Sequence, residues 1–79
     1  MIVWHVCSKK KLDLYRKNGF IRQPVRAWED ITYAERMSIR TGRRHIIRLK
    51  FPDNASRLEG HFGKARIIYQ NYIIDKEQI

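Results

Sequence analysis

The chain has 79 residues, 43% of them hydrophobic, and 17 Lys and Arg against 8 Asp and Glu leave a net charge of +9. This length gives one domain with a core near the lower size limit, and the apolar content excludes a disordered chain. So large a positive excess favours an anionic partner: nucleic acid first, then a nucleotide or an anionic membrane surface, with a merely soluble basic surface as the alternative.

The first apolar run, "IVWHVC" from Ile2 to Cys7, is apolar on both faces and predicts a strand central in its sheet. It is too short for the core of a signal peptide or for a membrane span. Cys7 is the single cysteine, so no intramolecular disulfide forms and a reducing, cytoplasmic setting is expected. Ser8 can cap the next segment, "KKKLDLYRKN", a helix with Leu12 and Tyr15 inward and Gly19 as its stop. Pro24 then marks "PVRAW" as a short edge strand. Thr32 and Glu35 have the spacing of a capping box, predicting a second helix to about Arg40. Ile31, Ala34 and Met37 face inward in that reading, and Gly42 ends the helix.

"HIIRLKF" follows, alternating residue by residue. His45, Ile47, Leu49 and Phe51 point to a core, while Arg44, Ile46, Arg48 and Lys50 point away. "PDNAS" reads as a turn and "LEGHFGK" as a loop punctuated by glycines. "ARIIYQNYII" is a last strand, bent or bulged near Asn71, and "DKEQI" a final turn. The order β-α-β-α-β-β predicts one α+β domain over residues 1–79, with a mixed or antiparallel sheet and two short helices.

Cations gather from Arg36 to Lys50, a stretch without an acid. Arg36, Arg40, Arg43, Arg44, Arg48 and Lys50 combine a helix end, a turn and one strand face, where guanidinium forks can hold phosphates in two-point contact. Lys9, Lys10 and Lys11 stand in the first helical turn, where the macrodipole disfavours cations. They are either a phosphate site with the free backbone N–H groups or three solvated lysines. Trp28, Tyr33, Tyr69 and Tyr72 are stacking surfaces if exposed and core residues otherwise.

The spacing of His5, Cys7, His45 and His61 fits no compact metal motif, so no metal is expected. Cys7 lies inside a strand and reads as an inert buried thiol rather than a nucleophile. No Gly-rich phosphate loop is present. His5 interrupts an apolar strand, and either bonds backbone carbonyls in the core or orients a ligand hydroxyl in a cleft.

"VWHVCSKKKLDLYRKNGF" resembles the opening of ADP-ribosyltransferase-like domains, where a strand ending hydrophobic-aromatic-His precedes a helix and a Gly-hydrophobic turn. The likeness continues through "VRAWEDITYAERM", with Ala34 inward, then "HIIRLKF" and "ARIIYQNYIIDKEQI". It implies NAD as the cofactor, with His5 contacting the NAD ribose. Many active transferases carry a catalytic Glu at the start of a late strand. Here that neighbourhood is "GKARII", with Arg66 and no acid, and Glu59 and Glu77 fall off the pattern. The RNA 2′-phosphotransferases of the same superfamily use His and Arg, so the resemblance implies His5 and Arg66 as the catalytic pair.

Three functions follow as expectations. The first is a small ADP-ribosyltransferase-like domain binding NAD or a phosphorylated nucleic-acid ligand, active or not. The second is a non-catalytic nucleic-acid-binding protein. The third is a metal-independent ribonuclease of the small toxin kind. Size weighs against the first, because a dinucleotide pocket needs several hundred cubic ångströms.

Overall fold

Seven strands and two helices make up residues 1–75, the part of the chain that the computed structural model describes. They are β1 (Ile2–Cys7), α1 (Lys9–Asn18), β2 (Phe20–Ile21), β3 (Val25–Trp28), α2 (Ile31–Thr41), β4 (His45–Lys50), β5 (Ser56–Arg57), β6 (Ala65–Ile68) and β7 (Tyr72–Ile73), with a 3-10 turn at His61–Gly63. The main sheet runs β4-β1-β3-β6-β5, every pairing antiparallel, and β2 pairs with β7 in a separate two-stranded ribbon. The α+β class, the two helices and an antiparallel sheet are as the sequence predicts, and the element order agrees roughly: β2 and β5 are additional two-residue strands, and the expected last strand divides into β6 and β7. The final turn expected at "DKEQI" falls largely on residues 76–79, outside the described residues.

β1 is flanked on both sides, by β4 and β3, though the middle position belongs to β3. "PVRAW" is therefore not an edge strand. Pro24 stands just before the first paired residue, Val25, so its missing N–H takes no bond from the ladder. The true edges are β4, the basic strand, and the two-residue β5. The bend near Asn71 is real. β6 ends at Ile68, and the chain resumes as β7 against β2 rather than extending the main sheet.

α1 starts at Ser8, whose hydroxyl accepts from Lys11 N–H, and ends at Gly19, with φ 77° and its N–H on the Tyr15 carbonyl. α2 is not capped by Thr32. Asp30 holds that place, because its charged Oδ1 accepts from Thr32 N–H at 2.8 Å and completes the cap two residues earlier. The earlier start leaves Ile31 in the first turn, 42% exposed, while Ala34 and Ser38 make the buried stripe. Ser38 donates its hydroxyl to the Arg43 carbonyl, tying the helix to the turn that Gly42 opens at φ 75°.

Register divides the sheet into two faces. Val3, Leu49, Val25 and Phe51, all fully buried, share one face with Cys7, Ile47 and Ile68, and α1 covers it through Leu12. Ile47, Leu49 and Phe51 face the core as the alternation predicts, and Arg48 and Lys50 are exposed. The opposite face carries Trp4 and Trp28, paired with each other, and α2 lies there with Tyr33 against Trp28. The helices thus sandwich the sheet between them.

Candidate functional site

β1 pairs with β4 through six residues, and β3 with β6 through four, but β1 and β3 pair only at Trp4 and Trp28. Beyond that point the two strands diverge and the sheet splits. A cavity of about 570 Å³ occupies the split, between the end of β1, the start of β3, the last turns of α2 and the loop after β5. His5, Trp28, Met37, Arg43, Glu59 and His61 are among its lining residues. An open split between strands encloses far more space than the 79-residue length suggested, since the volume lies between elements and not inside the core.

His5 bridges the split. Its Nδ1 lies 2.6 Å from the Arg26 carbonyl, and its Nε2 lies 3.2 Å from the Tyr15 hydroxyl. A carbonyl only accepts, so Nδ1 carries the proton and donates. Burial pushes the His5 pKa down, the bond to Arg26 opposes this, and the Arg43 charge pushes it down further. The neutral ring then leaves Nε2 bare to accept from Tyr15 O–H. The expectation that His5 bonds a backbone carbonyl holds, and the ring also lines the cavity. With both nitrogens engaged, it meets the cleft as a wall, not as a base.

Arg66 does not join it. On β6, its Nε and Nη2 each reach Glu29 Oε1 at 3.0 Å, and Nη1 donates to the Ala55 carbonyl at 2.8 Å. This guanidinium, 13% exposed, braces the end of β3 and the segment before β5. It lies outside the lining, separated from β1 by β3.

The cationic stretch divides. Arg43 lines the cavity. Arg36 and Arg40 are exposed and, at about 3.6 residues per turn, share the flank of α2 that carries the half-buried Tyr33, beside Met37 and Thr41, which line the cavity. Arg44 is exposed in the turn, while Arg48 and Lys50 are exposed on β4, across β1 from the cavity. Lys9 and Lys10 are exposed on α1. Of the three lysines there, Lys11 reaches a second hollow of about 160 Å³, with Ser8, Tyr15 and Arg43.

Rings continue outward from the cavity wall. Trp28 meets His61 edge-on at 5.1 Å and Tyr33 at 4.8 Å, and Tyr33 meets Phe62 edge-on at 6.2 Å. Compared with family models, curated proteins and solved structures, the chain matches none. The site therefore rests on its geometry.

Sequence reasoning set Glu59 aside as off the transferase pattern, yet it lines the cavity, and it passed over Phe62 and Arg26. The available signal was "GHFG", two aromatic rings bracketed by glycines. Gly60 and Gly63 have φ of 76° and 70°, which turns the loop back so that His61 faces Trp28. Cys7 is buried, and burial pushes its thiol pKa up, so it stays protonated and unreactive. Among the described residues, no three His, Cys, Asp or Glu side chains gather as a metal site, and no helix is long and apolar enough to cross a membrane.

Proposed function

We propose that the cleft binds the base and phosphate of a nucleotide, making the chain a small ADP-ribosyltransferase-like domain that holds NAD or a phosphorylated nucleic-acid ligand without transferring a group. The observation that carries this is the cavity itself. Its volume of about 570 Å³ suits a nucleotide. Trp28 and His61 offer ring walls for a base, and Arg43 offers a guanidinium for a phosphate at the same opening. Bound NAD would supply an activated glycosidic bond, and the residues that would hold it are these three with His5. The absence of transfer is supported by the engagement of His5 at both nitrogens and of Arg66 with Glu29. A nucleic-acid ligand in a cytoplasmic setting accords with the net charge of +9.

Titration with AMP, NAD and a 2′-phosphorylated oligonucleotide, followed by NMR, tests the reading. Shifts of the Trp28 indole, the His61 ring and the Arg43 guanidinium are expected, and silence at millimolar ligand removes it. One observation favours a second reading, an active transferase: Glu59, a carboxylate, lines the cavity together with His5. NAD consumption that is abolished by Glu59→Gln would establish that activity.

A further inference from the structure

We propose that the cleft is the first position of a track for single-stranded nucleic acid, which leaves the cavity over the Tyr33–Phe62 pair and along the Arg36–Arg40 stripe of α2. This rests on the cleft being a nucleotide site. It goes beyond that reading by choosing a polynucleotide over a free nucleotide.

Phe62 is the observation that a lone nucleotide pocket leaves unexplained. It is 87% exposed, the most exposed large apolar side chain among the described residues. The backbone holds it there at a cost. His61 and Phe62 have φ of 51° and 54°, a left-handed conformation that costs side-chain-bearing residues on the order of 1–2 kcal/mol each. The loop packs His61 on Trp28, but the Phe62 ring itself stands in water, with Tyr33 as its one aromatic neighbour among the described residues.

The surroundings specify the occupant. His61, Trp28, Tyr33 and Phe62 form one cluster of rings, with His61 and Trp28 at the cavity wall and Phe62 at the surface. Arg36 and Arg40 stand one helical turn apart on the flank that carries Tyr33, and Arg43 stands at the cavity. Rings interleaved with guanidinium groups suit unpaired bases on a phosphate backbone, because each base offers a face to stack and each linkage a charge. A duplex hides its base faces. An acidic protein would meet the arginines but has less use for a series of flat rings.

The test compares AMP with RNA and DNA hexanucleotides, on the wild type and on Phe62→Ala. The variant loses only an exposed ring, and circular dichroism checks its fold. The hexanucleotide should bind at least ten-fold more tightly than AMP, and Phe62→Ala should remove about ten-fold of hexanucleotide affinity, the size of one stacked base, while AMP affinity stays the same. Running both sugars identifies the nucleic acid, and Phe62-dependent binding of either one supports the track. Equal affinity for AMP and hexanucleotide overturns the track and leaves the cleft standing. Absence of AMP shifts at Trp28 and His61 overturns the cleft and the track together. Polyglutamate competing as well as the hexanucleotide assigns the surface to acidic protein and overturns the proposal.

Discussion

At His5 one ring serves the fold and borders the site, and its position predicts a pH response. Burial lowers its folded pKa below the ordinary 6.5, so the unfolded chain takes up the proton first as pH falls. Stability from this group is fully present above 6.5 and is lost as pH falls from there toward the folded value. Tyr15 and Arg43 face the ring, and Arg43 opposes its protonation. Between pH 7.5 and 5.5 the melting temperature of the wild type should fall more steeply than that of His5→Gln, which cannot titrate. Parallel curves would mean that the ring is solvated and that its bonds do not persist. His5 was legible because a polar residue in "VWHVC" demands partners, yet those partners, at Tyr15 and Arg26, come from other elements. Arg66 shows the opposite case. Nothing in "GKARII" announces an ion pair with Glu29, 37 residues away, so a structural brace read as a catalytic cation. Arg66→Ala should cost about 2 kcal/mol in urea denaturation, since it strands a partly buried carboxylate and a carbonyl. Nucleotide binding should survive, and loss of binding without loss of stability would return Arg66 to the site.

Among the elements, β4 was read to the correct register because its alternation is strict, and a slip of one residue would bury arginines. Leu49, fully buried, should cost about 3 kcal/mol as Leu49→Ala, whereas Lys50→Ala should stay within about 0.5 kcal/mol. Similar losses from both would contradict the assigned faces. What the alternation does not contain is neighbourhood. Pro24 suggested an edge for β3 because proline lacks a donor, but placed before the first ladder pair it costs nothing, and β3 became the middle strand. The short strands β2, β5 and β7, two residues each, are set by their partners and carry no period to read. The cleft was hidden for the same reason. It arises where β1 and β3 stop pairing, a relation between strands that neither segment records.

On the scale of the whole molecule, the net charge of +9 announced an anionic partner but not how the charge is distributed. The fold partitions it. Arg43 lines the cavity and Arg36 and Arg40 stand on the Tyr33 flank of α2, while Arg48 and Lys50 stand on the edge strand across β1. One continuous phosphate path over both groups would have to cross the outer surface of α2, where Ile39 is 69% exposed. A path confined to the cavity and that flank, with Arg44 at its end, engages about four phosphates. On single strands that gives a log–log salt slope of about −3, so raising salt four-fold should weaken binding on the order of fifty-fold. Replacing Arg36 and Arg40 together by alanine should flatten the slope by about 1.4, equally for all base sequences. Replacing Arg48 and Lys50 should leave it unchanged. Fluorescence anisotropy of a labelled hexanucleotide between 50 and 200 mM salt, about the range in which such slopes are resolved, separates the cases. If the β4 pair flattens the slope and the α2 pair does not, the strand lies along the sheet edge, and the aromatic series has no part in holding it.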